Sequence, residues 1–297
     1  VRILVTGSEG NIGRHLVAWL RARGHEVHRT DILPLWSSDY TQADILSPAD
    51  LVPLFMQWRP EVVYHLAAMV SRVTCEQAPH LAINTNVSGT HNVARLCIEF
   101  GAKLVFTSTS EVYGNTGTLQ AETTTPEPNN RYGLSKWLAE QVLRYDVLNS
   151  GLRAIILRPF MFYHEDETRG SHRSAMINFA DALSQKLQVH VHRNSKRGWL
   201  HLNDGVRALE RAAHISTFAT INIGNPNIVE TEALAKLMCQ LLQLNPEDYI
   251  CLEELPARMT LNKTPDLGQQ KALLDFEPEI ALEEGVRRVL RRFGVMC

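Results

Sequence analysis

The amino-acid sequence predicts an α/β fold built on a doubly wound parallel sheet, and three observations carry the prediction. Short apolar runs of strand length alternate with segments of helical spacing through the first half of the chain. The first run ends in the glycine-spaced segment Thr6-Gly-Ser-Glu-Gly-Asn-Ile-Gly13, which opens a helix. Further on, Tyr132 and Lys136 stand four residues apart within a helical pattern.

The elements follow in order. Arg2-Ile-Leu-Val-Thr6 reads as a strand, and Ile12 to Arg23 as a helix through Ile12, Leu16, Trp19 and Leu20. Gly24 closes that helix, and His25 to Asp31 reads as a second strand ending in an acid. Strand signals recur at Val62–Leu66, Lys103–Thr107 and Ala154–Leu157, with helical patterns around 49–58, 82–100 and 132–149 between them. After Arg158-Pro159 the pattern loosens, and the polar stretch His164–Arg173 is a candidate substrate-side loop. A helix over Ala175–Lys186, strands at Gln188–His192 and Trp199–Leu202, and a helix over Asp204–His214 follow. Near the end, Val286, Val289, Leu290 and Phe293 form an apolar stripe, with Arg287, Arg288, Arg291 and Arg292 on the solvated face of the same helix.

Composition narrows the function classes. A chain of 297 residues with 44% apolar residues can bury a large core, and a net charge of -2 gives no reason to expect nucleic acid or an anionic membrane as partner. Phosphate binding must therefore be local. The five cysteines, Cys75, Cys97, Cys239, Cys251 and Cys297, contain no CxxC pair and read as reduced thiols of a cytoplasmic protein. No charged leader precedes the first strand, and no apolar run approaches the roughly 20 residues of a membrane span, so secretion and membrane insertion are not expected.

The chemistry-bearing residues form two groups. Gly7, Gly10 and Gly13, with Asn11 and Ile12 between the last two, lie where a strand meets a helix N-terminus and backbone amides can approach a pyrophosphate. The spacing is GxxGxxG, and a purely structural turn is the alternative. Asp31, at the end of the second strand, can accept the adenosine ribose hydroxyls and repel a 2′-phosphate, which favours NAD over NADP; Arg14 and Arg29 are the counter-evidence. In the second group, Lys136 shares a helix face with Tyr132 and is expected to lower its phenol toward ionisation, making it a proton acceptor. Among the histidines of the second half, His190 and His192 share a strand face without a convincingly spaced third ligand, so no metal site is expected.

The combination of Thr6-Gly-Ser-Glu-Gly-Asn-Ile-Gly13, His65-Leu-Ala-Ala68, Thr107-Ser-Thr-Ser-Glu-Val-Tyr-Gly114 and Tyr132-x-x-x-Lys136 resembles the extended short-chain dehydrogenase/reductase family, nearest to its NAD-dependent sugar-nucleotide epimerases and dehydratases. Asn86-Val-Ser-Gly-Thr90, Arg197-Gly-Trp-Leu-His-Leu-Asn-Asp204 and Leu282-Glu-Glu-Gly285 extend the resemblance over nearly the whole chain. It implies a Rossmann sheet over 1–160 that holds NAD, rejoined by about 200–224, and a smaller, discontinuous substrate-binding region, mainly 161–297. It further implies that Asp44 and Ile45 flank the adenine, that Leu66, Ala67 and Ala68 line the dinucleotide, and that Thr109 assists Tyr132 and Lys136. Arg197 and Arg258 would hold a substrate pyrophosphate, and the helices around 89–100 and 132–149 would form a homodimer. Asp44 as a helix cap and Thr109 as a satisfier of backbone groups are the plainer alternatives.

Glu111 resembles the acid/base position of some dehydratases and decarboxylases. Where the family has Arg-x-Phe-Asn before a Tyr-Gly-Pro turn, this chain has Arg158-Pro-Phe-Met161 and Tyr163-His-Glu165, and Met161 cannot donate the asparagine's amide hydrogen bond. The leading expectation is a cytoplasmic NAD-dependent epimerase acting on a nucleotide sugar through a keto-sugar. Dehydration or decarboxylation using Glu111, a net NAD(P)-dependent reductase or dehydrogenase, and a non-catalytic NAD sensor are the alternatives.

Overall fold

The structure, a computed structural model, describes residues 1–115, 119–168, 174–254 and 260–295. The first half runs β1 (Arg2–Thr6), α1 (Asn11–Ala22), β2 (Glu26–Asp31), β3 (Tyr40–Gln42), α2 (Pro48–Trp58), β4 (Val62–His65), α3 (Arg72–Gln77), α4 (Pro79–Ile83), a π-helical turn (Asn84–Ser88), α5 (Gly89–Phe100), β5 (Lys103–Thr107), a short 3₁₀ turn (Ser110–Tyr113) and α6 (Arg131–Asn149). The second half continues with β6 (Arg153–Pro159), β7 (Met161–Tyr163), α7 (Ala175–Ser184), β8 (Val189–His192), β9 (Lys196–His201), α8 (Leu202–Ala212), β10 (Ala219–Ile223), β11 (Ile228–Glu230), α9 (Thr231–Leu241), α10 (Pro246–Tyr249), β12 (Ile250–Glu253), β13 (Asn262–Lys263), α11 (Gly268–Leu274) and α12 (Leu282–Arg292).

Seven strands make one parallel sheet in the order β10-β6-β5-β4-β1-β2-β3. The chain winds outward from β1 through β2 and β3, then returns to start the other half at β4. Between β1 and β4 the order reverses, and the carboxyl ends there leave the crevice in which such sheets bind ligands. One face is covered by α1, α8 and the segment ending at Phe276, through Leu16, Leu20, Leu209 and Leu274; the other by α2, α5 and α6, through Leu51, Phe55, Val93 and Leu143. Both faces being covered accounts for the nearly continuous apolar strands. A third core joins α7, α9 and α12 around Met176, Leu234, Met238 and Val289 beneath the small sheets of the second half.

The expected elements are present with shifted ends. The helix anticipated over 82–100 is broken by the π turn before Gly89, where an added Cβ would lie 2.6 Å from Ile45 Cδ1. The helix expected from Asp204 begins at Leu202, because His201 caps it: Nδ1 accepts from the Asn203 amide at 3.2 Å. Strands β3 and β10 to β13 and helices α9 to α11 were not anticipated. On α12, Val286, Val289 and Leu290 are buried, while Arg287 and Arg288 pair with Glu283 and Glu284 one turn earlier. The four described cysteines are free thiols, and no described helix is long and apolar enough to cross a membrane.

Candidate active site

The glycine turn is dictated by close packing. Gly7 has φ +69°, and a Cβ there would lie 2.6 Å from the Ala67 amide nitrogen; at Gly13 it would lie 2.2 Å from the Gly7 carbonyl oxygen. The turn therefore seats against Leu66, Ala67 and Ala68, all half-buried at the end of β4. Helix α1 begins at Asn11 and Ile12 without a capping side chain, since Gly10 is its N-cap, so its first amides are left for an anion. Asn11 Oδ1 is buried with no hydrogen-bond partner among the described residues.

Asp31 leans back over this turn and accepts from the Glu9 amide at 3.1 Å. The counter-evidence from Arg29 falls away, because its guanidinium is held by Asp39 at 3.1 and 3.2 Å and by Glu9 at 3.1 Å. Arg14 is exposed on α1. With Arg29 engaged by Glu9 and Asp39, the Asp31 carboxylate at the end of β2 opposes a 2′-phosphate, and the residues present fit NAD. Ile45 is buried in the core, and Asp44 is exposed with its carboxylate accepting from the Leu46 amide at 2.9 Å. Asp44 does not cap α2; Ser47 does.

Thr109 lies where β5 ends. Its hydroxyl caps the following turn, accepting from the Glu111 amide at 3.2 Å, and also engages Tyr132 in the direction that favours the phenolate. Tyr132 enters α6 just after Asn130, whose side chain caps the helix through the Gly133 amide at 2.9 Å. Asn86 of the π turn ties this helix to the dinucleotide side: it exchanges hydrogen bonds with the Met69 backbone at 2.8 and 3.0 Å and donates to Ser135 Oγ at 2.8 Å. Lys136 is buried, with Nζ 4.1 Å from the Phe106 ring centroid. Burial brings its ammonium down to about 7, against the opposing pull of Glu140. The expectation that Lys136 lowers the Tyr132 phenol is corrected here. Burial raises that phenol above its ordinary value, with Thr109 acting against the rise. Both members of the pair are desolvated, so each resists its charged form.

Beside these groups opens a cavity of about 590 Å³. Glu111 and Arg72 border it, together with Lys263, Arg197, His192 and Met161. Glu111 is buried and held from four sides: Lys263 Nζ lies 2.5 Å from Oε1, Asn130 and Thr260 donate to Oε2 at 2.9 and 3.3 Å, and Arg72 stands 4.0 Å away. Burial opposes its ionisation, but Lys263 and Arg72 overcome this and bring the carboxyl down to about 2. Arg197 borders the cavity while donating to the carbonyls of Lys196, Leu261 and Thr260 at 2.7, 2.5 and 2.6 Å, so its guanidinium also anchors the 260–261 backbone. Arg258 lies outside the described residues. Sequence reasoning missed Lys263 and Arg72, which acquire their places through contacts distant in the chain, and Asn130 and Ser135, although Asn130 as the N-cap of α6 carried a local signal. Asn86 was visible solely as part of a motif.

A glycine turn at a topological switch point, an acid at the end of β2 and the Thr109, Tyr132, Lys136 set define an NAD-dependent enzyme of the Rossmann class. The chain belongs to the NAD dependent epimerase/dehydratase family, which it matches over residues 3–224. UDP-glucuronic acid decarboxylase 6 of Arabidopsis thaliana is 30% identical over 301 residues, spanning 96% of this chain and 87% of the relative. UDP-N-acetyl-alpha-D-glucosaminuronate decarboxylase of Bacillus cytotoxicus is 27% identical over 320 residues, spanning 98% and 97%. Among solved structures, UDP-glucose 4-epimerase with UDP-glucose from Thermotoga maritima superimposes with a TM-score of 0.90 at 26% identity over 99% of both chains. MoeE5 in complex with UDP-glucuronic acid and NAD gives 0.88 at 26% identity over 98% of both.

Proposed function

We propose that the enzyme is a redox-neutral epimerase of a nucleotide sugar. NAD, which the glycine turn and Asp31 would hold, would supply a reversible hydride acceptor for a sugar carbon. Tyr132 takes the proton of the hydroxyl on that carbon and restores it when the hydroxyl re-forms, and the Thr109 hydroxyl positions the same oxygen. Lys136 stands one turn on along the same helix face, and it is the Thr109 hydroxyl that acts against the rise of the phenol. Gly7, Gly10, Asn11, Ile12, Gly13 and Asp31 hold the dinucleotide with Leu66, Ala67 and Ala68, while Arg197 and Lys263 face the substrate's phosphates from the cavity wall.

The observation that carries this reading is the state of Glu111. Dehydration needs a mobile acid or base at the neighbouring carbon. A buried carboxylate already engaged by Lys263, Asn130, Thr260 and Arg72 is fixed in place and has its charge paired. Epimerisation needs only the hydride couple and the Tyr132 proton.

Decarboxylation is the second reading, favoured by the two decarboxylase relatives. A uronate whose newly formed ketone stands β to its carboxylate loses carbon dioxide as a β-keto acid, the electron pair passing to the ketone as an enolate that is then protonated, and Arg72 and Lys263 would face that carboxylate. NMR of products from UDP-, GDP-, CDP- and dTDP-linked sugars and uronates, with the cofactor's absorbance followed in the same tube, separates the readings. An isomeric sugar with no net reduction supports epimerisation; carbon dioxide release overturns it in favour of the second reading; stoichiometric cofactor reduction points to a net dehydrogenase. We also take the protein to pair as a homodimer through α5 and α6, supported by Leu138, Tyr145 and Leu148, exposed at 38%, 65% and 82% along one side of α6. Sedimentation as a monomer at micromolar concentration would refute this.

A further inference from the structure

The proposed reaction leaves unused the Tyr163-His164-Glu165 sequence, where the family's turn is replaced. In the fold it builds a cluster. The His164 ring lies against that of His15 of α1, tilted by 57° with centroids 3.9 Å apart, and His201, at the end of β9, lies 5.0 Å away. Asp166 and Glu165 supply two carboxylates.

The hydrogen bonds orient these rings toward a common point. His15 Nδ1 donates to the Asn11 carbonyl at 2.8 Å, leaving Nε2 bare and 3.9 Å from Asp166 Oδ2. His164 Nδ1 is also bare, because it accepts the Asp166 amide at 3.0 Å, and it lies 3.7 Å from the same Oδ2. The proton of His164 is thereby on Nε2, which faces Glu165 Oε2 at 3.5 Å. Glu165 is in turn fixed by His201 Nε2, which donates to it at 2.9 Å while His201 Nδ1 caps α8. Two unprotonated imidazole nitrogens and one carboxylate oxygen converge, and each ring's other nitrogen faces a carbonyl or carboxylate, the arrangement that orients metal-ligating histidines.

We propose that His15 Nε2, His164 Nδ1 and Asp166 form a divalent transition-metal site, suited first to Zn²⁺, with the remaining coordination position open to water. The three donor atoms lie within 4.8 Å of one another. Tetrahedral ligands at roughly 2.0 Å stand about 3.3 Å apart, so binding draws Asp166 inward by about half an ångström and exchanges its amide contact to His164 for the metal bond. Asp166 is 67% exposed on the outer side of the cluster, and the His164 side chain is 6% exposed. The bound ion clamps α1, whose N-terminus faces the dinucleotide, to the chain leaving β7. It takes no step in the proposed reaction.

Titration of the full-length, chelator-treated protein with ZnCl₂ by calorimetry, and with CoCl₂ followed by visible absorption, tests the site. One equivalent of Zn²⁺ is expected, with a rise in melting temperature and a cobalt spectrum of low coordination number. Asp166→Asn, an exposed change that leaves the core intact, and His164→Ala should each remove the tight equivalent. Glu165→Gln should weaken it about ten- to a hundredfold. The exposed His190, Cys251 and Glu253 group is the competing location, so His190→Ala should leave binding unchanged. No Zn²⁺ binding, or binding abolished by His190→Ala and not by Asp166→Asn, overturns the proposal.

Discussion

The two ends of the active site are built by different means. At the dinucleotide end the work is done by backbone: glycines approach each other and Ala67, and α1 offers uncapped amides. At the substrate end it is done by side chains brought together from far apart, with Glu111 held by Lys263, Asn130, Thr260 and Arg72. A backbone site depends on residues having no side chain, so its signature is local. An ion-paired site depends on partners that only folding supplies, and its charges remain stable only together.

Tyr132→Phe gives the largest separation of the two ends. It removes the proton acceptor without touching the glycine turn, so turnover should fall by about 10²- to 10⁴-fold while bound NAD is retained. Unchanged turnover would eliminate Tyr132 as the base. Lys263→Met attacks the substrate end and strands the buried Glu111 carboxylate, a loss of about 3 kcal/mol in denaturant unfolding. The double variant Glu111→Gln, Lys263→Met should recover much of that loss; if Lys263→Met alone is neutral, the pair does not hold the cavity wall. Gly13→Ala tests the backbone end. Its added methyl meets the Gly7 carbonyl and Ser8 backbone, so NAD should dissociate and stability should fall by roughly 2 kcal/mol, while the Glu111 end stays assembled.

Lys136→Met is read in the pH dependence of stability, and its sign follows from linkage. Burial lowers the folded-state lysine from 10.5 to about 7, so between these values the unfolded chain binds more protons than the folded one. Wild-type stability from this group therefore rises from pH 7 to pH 10.5 and is flat below. Lys136→Met should lack that rise, gaining on wild type at pH 7 and losing the advantage by pH 10. Parallel stability curves would mean that the ammonium remains protonated in place.

The legible part of the site was its local part. Gly7, Gly13, Asp31 and the Tyr132–Lys136 spacing are readable because a tight turn, a strand end and one helix face are each set by neighbours in sequence. The substrate end was read less well. Glu111 was recognised as a position but not as a locked carboxylate, since Lys263 reaches it from 152 residues away. Strand β10 escaped notice because Ala219-Thr-Ile-Asn-Ile223 mixes polar and apolar residues, and its membership of the sheet rests on pairing with β6.

By itself the sequence determined the parallel α/β architecture, the dinucleotide turn and the placing of Tyr132 and Lys136 on one helix face, because periodicity, glycine geometry and i,i+4 spacing act over a few residues. Only the tertiary structure decided which charges are paired and which protons they hold. Arg29 turned away from the phosphate position to Asp39, Arg197 took up the 260–261 backbone, and His15 came to rest on His164. Desolvation and ion pairing depend on the distance between groups in space, and for these residues that distance is set by which segments fold onto β2, α1 and β9.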